Sequence, residues 1–271
     1  MTVSILIPVY NRKDIVARTI ESALAQTYSD IEIVVTDNCS SDGTFEALQG
    51  YRERGVRLFQ TQENVGPLYN WVHGLEKCKG EYVKVLWSDD TIAPTFVEEC
   101  VKVMQECPDV GLVFSSTLIH LKNRDISAYH MPEHERMSSK LYAVNTILGN
   151  DMPVSPGCAM VRRRDAEFVE LKDGGERLCA LAKRFGAGPD VYFMLKAASR
   201  YPRVAHIPKF LSYFYGDDQS FTLQNRAEVL EGYRRTYDYL VKESDDPFFQ
   251  SLSSALRRAK FKKKLKKLLT F

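Results

Sequence analysis

Runs rich in Ile, Val and Leu recur along the first half of the chain at residues 3–9, 31–37, 56–61, 82–87 and 110–115, each starting 25–28 residues after the last. Each run has the length of a strand. Between them lie residues 14–26, 43–53, 68–78 and 94–106, where apolar residues such as Ile15, Ile20, Ala23 and Leu24 return at helical intervals. Strand and helix alternating at this pitch predict a parallel sheet covered by helices on both faces. Ligands of such sheets bind beyond the carboxyl ends of the strands, so the residues that follow each run are the ones to read for chemistry.

After Ser116 the rhythm breaks. Residues 122–139 are polar and irregular and read as a mobile loop, and the later apolar segments at 157–161, 204–207 and 211–215 are short and unevenly spaced. This half is expected to fold onto the sheet without forming an independent domain. From about Ala227 the pattern is helical to the end, interrupted near residues 245–247.

Composition adds mainly exclusions. With 44% hydrophobic and 27% charged residues, the chain falls outside the collagen-like, disordered and disulfide-framework classes. The six cysteines are scattered with no Cys-x-x-Cys pair, and the sequence opens on a strand-like run in place of a signal peptide, which predicts reduced thiols and a cytoplasmic location. No apolar run approaches the roughly 20 residues of a membrane-spanning helix. Charge is unevenly placed: residues 255–271 carry eight basic side chains and no acidic one, leaving 29 basic against 35 acidic residues in the rest.

The candidate chemistry sits where the predicted strands end. The first run ends in Pro8-Val9-Tyr10-Asn11 and the second in Asp37-Asn38-Cys39-Ser40-Ser41-Asp42-Gly43-Thr44. Asp37 there either accepts a hydrogen bond from a nucleobase or ribose, or organises its turn while Ser41 or Asp42 caps the next helix. The fourth run ends in Trp87-Ser88-Asp89-Asp90. Two adjacent carboxylates suit a hard cation such as Mg²⁺ or Mn²⁺, which takes one or two protein carboxylates and completes its shell with phosphate and water; a loop ahead of a helix at Pro94 would show the same residues. Gly188-Pro189-Asp190 precedes an apolar helical stretch, and Asp190 is either a helix-initiating residue or a general base.

Taken in order, these segments resemble glycosyltransferase family 2, whose members share the nucleotide-sugar-binding GT-A fold. The resemblance rests on residues 3–11, on residues 33–44, on Glu63-Asn64-Val65-Gly66 with Asn70 and Lys79-Gly80-Glu81-Tyr82, and on Trp87-Ser88-Asp89-Asp90 at the place of the family's Asp-x-Asp-Asp motif. It is strong over about the first 115 residues. Further on, residues 156–163 resemble the strand before the family's catalytic Asp, which places Asp190 as that base.

The resemblance implies an α/β fold with a mostly parallel central sheet flanked by helices. It divides into a catalytic domain over residues 1–226, with a nucleotide-binding half to 115 and an acceptor half from 116, and a C-terminal helical extension over 227–271. It further implies an inverting, metal-dependent enzyme that moves one sugar from a nucleotide carrier, a UDP-sugar first, onto a hydroxyl of a glycan or lipid-linked glycan in surface polysaccharide or glycoconjugate assembly. Pro8, Val9, Tyr10, Asn11, Asp37, Asn64, Gly66, Asn70, Ser88 and Asp89 would face the donor. Asp89 and Asp90 would hold Mn²⁺ or Mg²⁺, and Gly157, Tyr215 and Gln219 would lie on the acceptor side, under the loop at 122–139.

Three positions depart from the family pattern. Trp87 replaces the leading Asp of the metal motif, Pro189 stands where many members carry Glu, and Phe214-Tyr215-Gly216-Asp217-Asp218-Gln219-Ser220 occupies a loop that often carries Arg or His over the diphosphate. The alternative implied by the first departure is a nucleotide-sugar-binding or scaffold subunit without turnover. No Gln-x-x-Arg-Trp motif of processive members occurs, which favours single addition.

The cationic tail interleaves Arg257, Arg258, Lys262, Lys263, Lys264, Lys266 and Lys267 with Phe261, Leu265, Leu268 and Leu269. A basic amphipathic helix of this kind reads first as a peripheral contact with anionic lipid at the inner face of the membrane, with a solvated terminal helix as the alternative; no nucleic-acid partner is expected.

Overall fold

The structure, a computed structural model, describes residues 1–131, 136–166, 180, 187–216 and 224–268, the last of these, from 259, as backbone only. The first half folds as its periodicity predicts. Strand β1 (Val3–Val9) lies between β2 (Ile31–Asp37) and β4 (Tyr82–Val85), parallel to both, and β3 (Arg57–Gln60) extends the parallel row beyond β2. Register brings the strand ends level: Val9 pairs with Asp37, and Asp37 with Gln60.

Alternate residues of these strands point to opposite faces, and both faces are buried. Ile5, Ile7, Ile33 and Val35 belong to one core, under helices α1 (Val16–Leu24) and α4 (Phe96–Glu106). Leu6, Val34, Val83 and Val85 belong to the other, against α3 (Pro67–Lys77). Helix α2 (Thr44–Leu48) is short and runs into a 3-10 turn, Gln49–Arg54. Ile15 precedes α1 and is exposed; Val16 takes the buried position beside Ile20 and Ala23.

Past β4 the sheet becomes mixed. Its order is β3-β2-β1-β4-β9-β6-β10-β5, in which β9 (Ala159–Arg162) inserts antiparallel between β4 and β6 (Val110–Leu121), and the two-residue β5 (Thr91–Ile92) closes the row against β10 (Arg203–Gly216). Two expectations change here. Residues 122–139 do not form a mobile loop as a whole: β6 turns into an antiparallel hairpin with β7 (Arg124–Ala128), and β8 (Arg136–Ser138) pairs with β10 before α5 (Ser139–Ile147) begins; residues 132–135 lie outside the described residues. The polarity that suggested a loop belongs to a strand at the edge of the sheet, with Arg124, Asp125 and Ser127 facing water. The segments at 204–207 and 211–215 are one strand, β10, irregular around Phe210 where its pairing with β6 shifts register.

Helix α6 (Pro189–Ser199) is buried along most of its length, and α7 (Arg226–Lys242) and α8 (Pro247–Leu268) follow it. Leu240 of α7 and Phe249, Leu252 and Leu256 of α8 join the same core as α6 and β4. Each such side chain contributes about 1.5–3 kcal/mol on burial, so the C-terminal helices share the core of the preceding residues. Among the described residues no helix is long and apolar enough to cross a membrane.

Candidate functional site

The carboxyl ends of β1, β2 and β3 are joined by hydrogen bonds between loops distant in sequence. Asn11 turns the chain at φ 49°, a left-handed conformation that Asn tolerates better than most residues. Its N–H donates to Ser40 Oγ at 2.8 Å and its side-chain oxygen accepts from Ser41 N at 2.9 Å. Asp37 is fully buried. Its carboxylate accepts from Ser40 N and from Gln60 Nε2, both at 2.9 Å, and from the Ser40 hydroxyl. Oδ2 accepts two of these bonds and Oδ1 one, which leaves Oδ1 with acceptor capacity for one more donor.

Behind this rim, Asn38 donates to Asn64 Oδ1 at 2.8 Å, and the same oxygen accepts from Gly66 N at 2.9 Å, at the start of α3. Asn70 is buried and bridges the Thr36 and Val9 carbonyls at 2.9 and 3.4 Å, bracing the two strand ends. Val9 is likewise buried, whereas Tyr10 is exposed at the rim.

The end of β4 gathers a second set of groups. Asp90 is nearly enclosed and accepts from Tyr215 N at 3.1 Å; burial and the neighbouring Asp89 push its carboxyl well above the usual carboxylate range. Asp89 is half-exposed, and among the described residues its carboxylate has no hydrogen-bond donor. Ser88 is largely buried between them and Trp87. Arg18, from α1, donates to the Asp89 carbonyl at 2.8 Å and lies 3.7 Å above the Tyr215 ring. His120 of β6 also stacks on that ring, at 5.0 Å, and is held by Asp125 at 2.9 Å.

Beneath the pair, Lys84 is fully buried in β4. Its ammonium donates to the Gly157 carbonyl, with the Pro156 carbonyl 3.5 Å away, and sits 4.5 Å from the Phe96 ring centre; burial lowers its pKa to about 8. The indole N–H of Trp87 donates to Ser155 Oγ at 3.0 Å, and the ring meets Trp71 edge-on at 5.3 Å. A Cβ on Gly157 would lie 3.0 Å from both Trp87 and Phe214, so the absence of a side chain at 157 lets this turn close on the end of β4.

Asp190 occupies the first turn of α6. Its oxygens accept from Gly188 N at 3.1 Å and from the Tyr233 hydroxyl at 2.7 Å. The carboxyl lies above its usual range because desolvation by the surrounding side chains outweighs these donors. Tyr129, Tyr233 and Tyr237 all feel its charge. Phe193 of α6 packs on Trp71 at 5.0 Å, and Trp71 on Trp87. A continuous set of packed side chains thus joins α6 to the end of β4. Gln219 lies outside the described residues, as do the side chains of Lys262, Lys263, Lys264, Leu265, Lys266 and Lys267; Arg257 and Arg258 are exposed.

Residues 4–169 match the sequence profile of Glycosyl transferase family 2, more than half of the chain. The chain belongs to glycosyl transferase family 2. Among its relatives, a protein provisionally named the teichuronic acid biosynthesis glycosyltransferase TuaG of Bacillus subtilis is 31% identical over 153 residues, covering 54% of this chain and 59% of that protein. The succinoglycan biosynthesis protein ExoO of Rhizobium meliloti is 30% identical over 135 residues, covering 50% of this chain and 39% of that protein. The chain spans about half the length of the curated relatives it matches. In structure it is similar to S. aureus TarS 1–349 in complex with UDP-GlcNAc, with a TM-score of 0.68 at 18% identity over 94% of this chain and 71% of that one. It is also similar to the mannosyltransferase PcManGT from Pyrobaculum calidifontis in complex with GDP-Man and Mn²⁺, with a TM-score of 0.63 at 18% identity over 94% and 68%. The fold is accordingly the GT-A arrangement.

For the divalent cation that this family often uses, the fit is with two carboxylates only: among the described residues no three His, Cys, Asp or Glu side chains cluster to hold a metal. Asp89, half-exposed and without a donor among the described residues, with Asp90 beside it, matches a cation that draws most of its shell from phosphate and water. Arg18, Lys84 and Tyr233 were not singled out by the sequence. Lys84 had a visible signal, a lysine inside an apolar strand; Arg18 and Tyr233 look like ordinary polar positions of helices.

Proposed function

We propose that this member of family 2 is an inverting enzyme that transfers one sugar from a nucleotide-sugar, a UDP-sugar first, to a hydroxyl of a glycan or lipid-linked glycan during surface polysaccharide or glycoconjugate assembly. The observation that carries it is the carboxylate of Asp89 at the end of β4, without a hydrogen-bond donor among the described residues and joined through Trp87, Trp71 and Phe193 to the helix whose first turn holds Asp190. The nucleoside packs on the rim made by Pro8, Val9, Tyr10, Asn11 and the Asp37 loop, with Asn64, Gly66 and Asn70 fixing the loop's far side. Asp89 and Asp90 would hold Mn²⁺ or Mg²⁺; when bound, such a cation neutralises charge on the departing diphosphate. Arg18, over the Tyr215 ring, faces the same diphosphate and supplies the cation that the 214–220 sequence lacks.

Asp190 takes the proton of the acceptor hydroxyl. The hydroxyl oxygen forms its bond to the anomeric carbon from the side opposite the leaving group, the carbon–phosphate oxygen bond breaks, and the diphosphate departs with the electron pair. Gly157, with Tyr215 and Gln219, belongs to the acceptor side of the centre. In this proposal residues 1–115 bind nucleotide, residues 116–226 receive the acceptor, and residues 227–271 form a helical extension whose basic end docks a cytoplasmic protein on anionic lipid.

The test is a thermal-shift series of nucleoside diphosphates with and without Mn²⁺, followed by sugar release from the nucleotide-sugar that binds. A ligand at 100 times its dissociation constant stabilises by about 2.7 kcal/mol. D190N is expected to keep the shift and lose turnover. Near-normal turnover in D190N removes it as the base, and the absence of any nucleotide shift defeats the donor reading as well.

A further inference from the structure

We infer that Tyr233, on helix α7, is the positioning residue for Asp190, so that the helix following the 1–226 segment completes the centre. This deepens the reading of Asp190 as the base and rests on it. The geometry is specific. The Tyr233 hydroxyl donates to Asp190 Oδ2 at 2.7 Å while Gly188 N holds Oδ1 at 3.1 Å, so the carboxylate is fixed at both oxygens by groups from two helices. A carboxylate held this way presents its remaining lone pairs in one direction, which a freely rotating Asp does not.

The helices are shaped for that approach. Gly188 adopts φ +119°, and a Cβ there would come within 2.6 Å of Thr236 Oγ1, so α7 lies against the start of α6 with no room for a side chain. Thr236 is fully buried and donates to the Gly232 carbonyl at 3.0 Å, which keeps its hydroxyl on its own helix. Gly232, Tyr233 and Thr236 therefore form one face, with Tyr233 as its polar contact to α6. Burial and the facing carboxylate keep the Tyr233 phenol far from ionising, so it remains a donor throughout the working pH range.

Among the described residues, the groups that face Asp190 come from three elements. Tyr129 follows β7, at φ 57° with its N–H bound to Asp151 Oδ2 at 3.1 Å, and Tyr233 and Tyr237 come from α7, while Gly188 and Val191 act through backbone N–H groups of α6. Tyr237 feels the Asp190 charge without a hydrogen bond to it, which makes it the internal control. A hydrogen bond to the ionised form favours that form. Tyr233 therefore favours the ionised form of Asp190 as well as orienting it, opposing the burial that raises its carboxyl.

The experiment uses the full-length chain carrying ¹³Cγ-aspartate, with the Asp190 resonance assigned by its loss in D190N. Its titration midpoint is followed in wild type, Tyr233→Phe and Tyr237→Phe, and the pH profile of sugar release from UDP-GlcNAc and GDP-mannose is measured on the same proteins. Removal of the phenolic donor is expected to raise the Asp190 midpoint by about one pH unit, with the acidic limb of the rate profile moving up equally and Y237F moving neither. Near-UV circular dichroism confirms that each variant keeps its packing. A midpoint in Y233F within 0.2 units of wild type overturns the positioning role whatever the activity. If the midpoint moves but D190N keeps its turnover, the failure lies with Asp190 as base, and the claim that α7 completes the catalytic centre falls with it.

Discussion

Lys84 shows how much a single buried charge determines. Its ammonium is enclosed within β4 and satisfied by main-chain carbonyls of the turn at residues 156–158, and burial lowers its pKa from 10.5 to about 8. Below pH 8 the lysine is protonated whether the chain is folded or not, so the folded state bears the full cost of enclosing the charge. Between about 8 and 10.5 the unfolded chain binds a proton that the folded chain does not, and stability must rise with pH by about 1.4 kcal/mol per unit from this group. K84M keeps the length of the side chain and removes the titration. Urea unfolding of both proteins from pH 7.5 to 10 should therefore show wild type gaining steadily on K84M; parallel stability curves would mean that the ammonium is not enclosed.

At the scale of elements, close approach between a helix and the sheet decides the outcome. A Cβ on Gly74 of α3 would lie 2.4 Å from Leu6 Cδ1 and 3.0 Å from Thr36 Oγ1, and both side chains are fully buried and have nowhere to retreat. Alanine improves helix propensity by up to about 1 kcal/mol, whereas overpacking a close-packed core costs about 1–3 kcal/mol, so G74A is expected to lower stability. Gly50, in the 3-10 turn, has nothing within 4 Å of such a Cβ, and G50A should be neutral or slightly stabilising in the same melting experiment. Equal melting temperatures for the two variants would show that α3 does not press on β1. The periodicity of residues 68–78 predicted this helix because its apolar side faces a parallel sheet throughout. The same method failed for β7, whose side chains are mostly in water, and could not foresee β9 entering antiparallel, since partner and direction are set by residues far away in the chain. The candidate site divides along the same line. Asp89 and Asp90 are legible because a strand ends there, while Arg18 and Tyr233 reach their carboxylate-bearing segments across 71 and 43 residues and carry no local mark.

For the molecule as a whole, the open matter is what the cationic end of α8 touches. Phe249, Leu252 and Leu256 anchor this helix in the main core, and Arg257 and Arg258, the next residues, are exposed while the helical backbone continues to Leu268. A deletion from residue 255 would therefore remove Leu256 and disturb the core along with the charge. A chain ending at residue 258 keeps the anchor and loses Lys260, Lys262, Lys263, Lys264, Lys266 and Lys267. Each such residue near an anionic surface contributes about 1 kcal/mol, so even half of them engaged at once would change vesicle partitioning by about 100-fold. Full-length protein should sediment with phosphatidylserine-containing vesicles at low salt and be released as salt screens the attraction. The shortened chain should stay in the supernatant with its melting temperature and its nucleotide-induced thermal shift preserved. If the shortened chain sediments as well as the full one, lipid contact does not run through this helix. If neither sediments, the basic end is a solvated helix and the acceptor need not be sought in a membrane.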